Sequence, residues 1–197
     1  MTRSAAKERT TKETQVSVRL DLDGPTGEVS ATTGLPFFDH MLDQLGRHGG
    51  FDLTVRATGD LHVDGHHTVE DVGITLGEVF REALGDKAGI RRFASGLYPL
   101  DEALVEVALD LSGRPFTAYD VPFGEVLPLG NPPFNPEMAE HFWQSFATSA
   151  GITLHVRLRE GRNTHHIVEA CFKGVSRCLR DAVRIEGEGI PSTKGSI

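Results

Sequence analysis

One pattern occurs twice in this chain, and the duplication limits the possible folds more than any other feature. The segment DHMLDQLGRHGGFDLTVRATG, starting at Asp39, aligns with EHFWQSFATSAGITLHVRLRE, starting at Glu140. Each is followed by a short polar turn and then by the pattern HH-x-V-E. Chance rarely places these features in one order twice within about 100 residues. We therefore expect two similar halves, residues 1–95 and 96–197, within one duplicated domain.

Each half combines strand and helix patterns. Alternating apolar residues predict strands at 15–23, 28–33 and 51–59 in the first half, and at 102–111, 116–121 and 152–160 in the second. The first two are expected to form a hairpin across the turn GPTG, because Gly and Pro favour turns. Apolar residues three and four apart predict helices at 35–50, 66–84, 136–151 and 165–185. The patterns indicate an α+β fold.

Composition narrows the class of protein. The chain has 28 acidic and 20 basic residues and a net charge of -8, whereas nucleic-acid binding needs a clustered basic face. It lacks an apolar run of the roughly 18 residues that a membrane helix needs, and its N-terminus lacks the apolar core of a signal peptide. We expect a cytoplasmic protein that binds neither nucleic acid nor membranes.

The repeated histidines and glutamates predict metal ligands. Residues four apart share a helix face, so His66 and Glu70 can bind one ion, while His67 points about 100° away and is expected to serve a second. The second copy repeats this arrangement, and each copy has one equivalent histidine upstream. The eight candidate ligands are His40, His66, His67, Glu70, His141, His165, His166 and Glu169. Three imidazoles and one carboxylate per ion suit zinc, iron, nickel or manganese.

A purely structural interpretation is that a His-His pair at the start of a helix is a solvated polar turn. A duplication that preserved only a fold would retain apolar positions and let exposed polar residues change. Here the polar residues are the ones retained, which favours metal binding.

Five motifs, in this order, resemble the imidazoleglycerol-phosphate dehydratase family. They are FFDHMLDQLGRHGGFDL, DGHHTVEDVGI, RRFASGLYPLDEALV, HHIVEACFKGVSRCLRDA and PSTKG. The resemblance extends from about Arg9 to Lys194. It implies two half-repeats, each a four-stranded sheet with two helices, with the helices packed between the sheets. It also implies two Mn²⁺ ions per active site bound by the eight ligands above, and assembly of 24 chains with active sites at subunit boundaries.

The resemblance implies a dehydratase of histidine biosynthesis that converts imidazole glycerol phosphate to imidazole acetol phosphate. The proton to be lost lies on a carbon with no adjacent carbonyl, so the imidazole ring must accept the electrons. With its two nitrogens bound to two ions, an imidazolate can expel the hydroxyl and give a diazafulvene-like intermediate before a base removes the proton.

The same resemblance implies roles for further residues. Glu13 is the leading candidate for the acid and base, Glu70 and Glu169 are also catalytic candidates, and His48 and Asp101 are possible helpers. His40, His48 and Glu13 are expected to contact the substrate. The substrate phosphate needs charge-assisted donors, and the candidates are Arg92, Arg114, Ser192 and Lys194. The neighbouring Arg91 leaves the choice of arginine open. The tail, residues 187–197, is expected to be flexible and to order with ligand.

Two other functions are compatible with the ligand pattern. A dinuclear hydrolase could use a metal-bound hydroxide, although such sites usually contain more carboxylates. A metal-dependent assembly protein would use the ions only to join subunits.

Overall fold

The computed structural model describes residues 3–24, 26–124, 126–195 and 197. Two four-stranded sheets enclose four helices. The first half contains β1 (Ser4–Thr10), β2 (Thr14–Asp21), β3 (Val29–Thr32), α1 (Pro36–Gly49), β4 (Asp52–Gly59) and α2 (His66–Leu84). The second half contains β5 (Phe93–Leu100), β6 (Ala103–Asp110), β7 (Phe116–Asp120), α3 (Met138–Ala150), β8 (Thr153–Glu160) and α4 (Thr164–Ala182). The expected α+β fold is confirmed.

The two halves have the same topology. The strand order is β1-β2-β4-β3 in the first sheet and β5-β6-β8-β7 in the second. The last pair of each sheet, β3 with β4 and β7 with β8, is parallel, and the other pairs are antiparallel. The expected boundary between residues 95 and 96 falls inside β5, which pairs with β6 along its whole length. The division of the chain between residues 95 and 96 stays a prediction.

The predicted hairpin between residues 15–23 and 28–33 is wrong. β2 pairs with β1 and β4, whereas β3 lies on the far side of β4 and runs parallel to it. The hairpin in the structure joins β1 to β2. β1 has no alternating apolar pattern, because most of its side chains are exposed at the edge of the sheet. β5 is also an edge strand, and it contains Gly96 and Pro99, which weaken a strand pattern.

Glycines end the first helix of each half. Gly50 after α1 and Gly151 after α3 both have φ 67°, and their backbone N–H groups bond to carbonyls of the last helical turn. A side chain is disfavoured in this left-handed conformation, so glycine is the usual residue at this position. The repeated stop directs the chain into β4 and β8 at equivalent points.

The helices bring the two halves together through their buried faces. α2 packs against α3, and α1 packs against α4. The contact of α2 with α3 depends on small residues, because a Cβ at Gly77 would lie 2.5 Å from the carbonyl oxygen of Phe146 and one at Gly73 would lie 2.9 Å from that of Phe142. The close approach places histidine-bearing helices of one half beside those of the other. Within the described part of the chain, no helix is both long and apolar enough to cross a membrane.

Candidate active site

The first candidate metal site lies between α1 and α4. His165 and Glu169 are one turn apart on α4, and His165 Nε2 lies 3.0 Å from Glu169 Oε2. His40 on α1 brings its Nε2 to 3.4 Å from the same oxygen. One ligand atom from each of the three residues lies within 4.8 Å of the others. A histidine of the first half therefore joins a histidine and a glutamate of the second, and we call these three residues the α1–α4 cluster.

The electrostatics of this cluster favour an ionised carboxylate. The side chain of Glu169 is 12% exposed, and Lys173 Nζ donates to its other oxygen at 2.7 Å. Burial alone would raise the pKa of Glu169, but hydrogen bonds with Lys173, His165 and His40 outweigh it and hold the pKa below its usual value. Sequence reasoning missed Lys173, although its position four residues after Glu169 on a helix was a usable signal.

The equivalent residues of the other pair of helices also approach one another. The rings of His66 on α2 and His141 on α3 have centroids 4.6 Å apart. Glu70 lies one turn after His66 and is partly buried. Among the residues that the structure describes, this second set does not bring three ligand atoms as close as the α1–α4 cluster does. As in the α1–α4 cluster, however, a histidine of the first half lies beside a histidine of the second.

His67 and His166 lie outside these two sets. The ring of His67 is nearly perpendicular to that of His66, at 85°, and the ring of His166 is at 81° to that of His165. Each uses Nδ1 to contact a carboxylate, that of Asp60 at 3.0 Å for His67 and that of Glu102 at 2.7 Å for His166.

The hydrogen bond with Asp60 raises the pKa of His67 above its usual value, and the one with Glu102 does the same for His166. In return, His166 helps to lower the pKa of Glu102 to about 2. The contacts orient both rings, and within the described residues neither Nε2 forms a hydrogen bond, so each could meet another ligand. Asp60 follows β4 and Glu102 precedes β6, and no spacing rule had pointed to either residue.

Glu13 lies on the turn between β1 and β2, and its Oε1 is 4.0 Å from His67 Nε2. The turn is tied to α2 by Asp71, a buried carboxylate that accepts hydrogen bonds from Arg9, at 2.8 Å, and from Thr14. Asp71 was also absent from the sequence-based candidates. Asp101 occupies the corresponding turn of the second half, with a positive φ of 49°, and its Oδ2 is 3.8 Å from His166 Nε2.

A row of polar side chains on α1 continues from the α1–α4 cluster. Gln44 lies between His40 and His48, with its Nε2 3.4 Å from His40 Nδ1 and its Oε1 3.1 Å from His48 Nε2. Burial, together with the positive charges of Lys173 and Arg177, lowers the pKa of His48. A neutral His48 suits a hydrogen-bonding role better than an ionic one.

The candidate phosphate residues line a cleft of about 710 Å³. Its walls are formed by Arg92, Arg114, Pro191, Ser192, Thr193, Lys194 and Ile197. Arg92, whose φ is 74°, donates to both oxygens of Asp110, at 2.7 and 3.0 Å, and to the carbonyl of Pro191 at 2.8 Å. Arg91 is turned elsewhere and pairs with Glu186 at 3.6 Å. None of the eight candidate metal ligands lines this cleft. Within one chain, the predicted metal ligands and the predicted phosphate residues therefore lie apart.

Comparisons with known proteins identify the family of this chain. A model of the imidazoleglycerol-phosphate dehydratase family matches residues 33–179. The dehydratase of Parafrankia sp. strain EAN1pec is 57% identical over 197 residues, covering 99% of each chain. That of Acidothermus cellulolyticus is also 57% identical, over 196 residues, covering 99% of this chain and 93% of the relative.

Two solved structures of dehydratases have the same fold. The Pyrococcus furiosus enzyme, described in complex with (S)-C348, has a TM-score of 0.82 and 36% identity, covering 97% of this chain and 100% of the other. The Staphylococcus aureus enzyme has a TM-score of 0.80 and 34% identity, covering 91% and 97%. The chain therefore belongs to the imidazoleglycerol-phosphate dehydratase family, whose members are carbon–oxygen lyases of histidine biosynthesis.

Proposed function

We propose that this chain converts imidazole glycerol phosphate to imidazole acetol phosphate and water in an active site that holds two Mn²⁺ ions and is completed between subunits. The family membership supports this dehydration over hydrolysis by a dinuclear centre. One observation carries the proposal of shared sites: within one chain the metal ligands and the anion cleft do not meet.

The residues present fit the two ions. The α1–α4 cluster offers imidazole nitrogens and a buried carboxylate that stays ionised, which is a donor set suited to a divalent transition metal. The second set would use His66, Glu70 and His141, and the remaining ligands would be His67 and His166. When bound, the two ions would act as Lewis acids on the imidazole ring of the substrate and make it a better electron sink.

The chain's own residues must move a proton and hold the substrate. Dehydration removes a hydroxyl from the carbon attached to the ring and a proton from the neighbouring carbon, and together these leave as water. The carboxylate of Glu13 is about half exposed and lies on a turn fixed by Asp71. We assign to this carboxylate the role of the base that accepts the proton. Gln44 and His48 continue the polar surface beside the ring.

The phosphate is assigned to the cationic cleft. Arg114 and Lys194 supply positive charge, and Ser192 supplies a hydroxyl donor. Arg92 has a second task, since its bonds to Asp110 and to the Pro191 carbonyl hold the tail against the second sheet. These bonds place Ser192 and Lys194 at the cleft.

Assembly into a 24-chain particle would complete the site. The rings of His67 and His166 are oriented by Asp60 and Glu102, and each is available to join a cluster in a neighbouring chain. A closed symmetric assembly would repeat such a contact in every subunit. In this proposal the ions both take part in the chemistry and join the subunits.

Mixed assemblies test the shared site. His165→Ala removes a residue of the α1–α4 cluster, and His67→Ala removes one that we assign to a neighbour. We expect each variant to be inactive alone, whereas particles containing both, isolated through two different affinity tags, should recover up to roughly a quarter of wild-type activity by random mixing across a shared interface.

The matched control mixes His165→Ala with Glu169→Gln. Both changes fall in the same cluster, so every such cluster lacks one ligand and we expect no recovery. If the His165→Ala and His67→Ala mixture is no more active than its components, the site is completed within one chain and the shared-site proposal is wrong.

A further inference from the structure

We propose that Lys87 is a positioning residue for the substrate phosphate, which it serves by fixing the turn that carries Arg114 and by placing a buried positive charge behind the cleft. The inference rests on the assignment of the phosphate to that cleft. It extends the assignment to a residue that does not line the cleft.

The burial of Lys87 is unusual for a lysine. Its exposure is only 6%, and lysine is almost never fully buried without a compensating partner. Among the residues that the structure describes, its one hydrogen bond is from Nζ to the carbonyl oxygen of Leu111, at 3.1 Å. A neutral carbonyl offsets only part of the cost of removing an ammonium group from water. An anion bound nearby would offset more of it.

The backbone at this position is also strained. Lys87 has a φ of 63°, and it lies two residues after Gly85, which ends α2 at φ 62°. Left-handed geometry is unfavourable for an ordinary residue, because its Cβ comes too close to the following carbonyl oxygen. The non-glycine residues with positive φ in the described chain are Lys87, Arg92 and Asp101. The other two belong to the anion cleft and to the turn beside His166, and such strain tends to occur at functional sites.

The contact with Leu111 connects Lys87 to Arg114. Leu111 begins the short turn Leu111–Arg114, in which Ser112 Oγ accepts from the backbone N–H of Arg114 at 3.1 Å. Gly113 in that turn has φ 75°, and a Cβ built on it would lie 3.7 Å from Lys87 Nζ. The ammonium therefore lies against this turn. Without it the Leu111 carbonyl would lose a charged donor and the turn would lose a support.

The surrounding charges place Lys87 within the field of the cleft. Burial is the main cause that lowers its pKa, and Arg92, Arg81 and Arg114 lower it further, while Asp110 opposes them. Asp110 is itself engaged by Arg92, so positive charge exceeds negative charge around the cleft. A phosphate dianion in the cleft would meet this excess, and the charge of Lys87 would contribute to it.

Two variants separate this role from a purely structural one. Lys87→Met keeps the length of the side chain but removes its charge and donor, and Lys87→Gln keeps a donor without the charge. For both we expect the KM for imidazole glycerol phosphate and the Kd for inorganic phosphate, measured by calorimetry, to rise together by about tenfold, with kcat changing less than threefold. Lys87→Arg should restore most of the affinity. Lys7→Met, which removes one positive charge from the first sheet, is the control for net charge.

A structural role alone would lower the melting temperature and leave KM and the phosphate Kd of the folded enzyme unchanged, and that result would overturn the proposal. So would a loss confined to kcat. If Lys87→Met does not assemble, the Lys87→Gln result decides. Phosphate calorimetry needs no turnover, so it tests Lys87 even if the wild-type chain fails to form imidazole acetol phosphate, an outcome that would reject the proposed function instead.

Discussion

Replacing Glu169 with glutamine should lower both kcat/KM and manganese affinity by at least about 100-fold, since even the outer hydrogen-bond partners of metal ligands cost 10–100-fold when removed. Glutamine keeps the shape of the side chain, but it removes the negative charge that faces His40, His165 and Lys173. Steady-state kinetics with varied manganese would show the loss, and the melting temperature would show whether the subunit still folds.

The matched control for Glu169→Gln is Glu82→Gln, on an exposed position of α2, and it should retain wild-type kinetics. Particle size should be measured for both variants. Loss of turnover in particles of normal size indicates that the carboxylate serves the chemistry. Normal turnover in Glu169→Gln at limiting manganese would show that the α1–α4 cluster is not a metal site of this enzyme.

The second large effect is expected from Glu13→Gln. A general base contributes about 100- to 10,000-fold to the rate, so kcat should fall within that range. Manganese binding should be unchanged, because Glu13 is not among the eight candidate ligands. The turn should keep its conformation, since its anchors are Thr14, Arg9 and Asp71 rather than the Glu13 side chain.

Glu8→Gln provides the comparison for Glu13→Gln. Glu8 is an exposed carboxylate on β1 of the same hairpin and borders a groove on the outer face of the first sheet. We expect it to be kinetically silent. A Glu13→Gln enzyme with kcat within threefold of wild type would assign the proton transfer to another residue, and Asp101 in the corresponding turn would be the next to test.

The sequence predicted the helices better than the strand pairing. α2 occupies the expected residues 66–84, and the other three helices agree within three residues at each end, because buried residues at helical spacing and terminal glycines give local signals. Strand pairing depends on distant partners, and the polar edge strand β1 carried no local sign of them. The β2–β3 hairpin was inferred from a turn sequence alone, and the parallel pairing of β3 with β4 overrode it.

The sequence predicts the candidate site as a set of residues but not as an arrangement. Duplication identified the histidines and glutamates, whereas the exchange of partners between halves, His40 with His165 and His66 with His141, follows from packing of α1 on α4 and α2 on α3. Glu102 and Lys87 support the site through contacts with residues 64 and 24 positions away in sequence, and Asp60 contacts His67, seven residues further along the chain. No spacing rule could have found them.

Metal content measured together with turnover shows whether dehydration depends on two bound manganese ions. Purified particles would be stripped with a chelator, titrated with manganese, and assayed for imidazole acetol phosphate at each step. We expect activity to disappear on stripping and to return as occupancy reaches about two manganese ions per chain, one for each ligand set. Full turnover by metal-free enzyme, or no product at full manganese occupancy, would contradict this expectation.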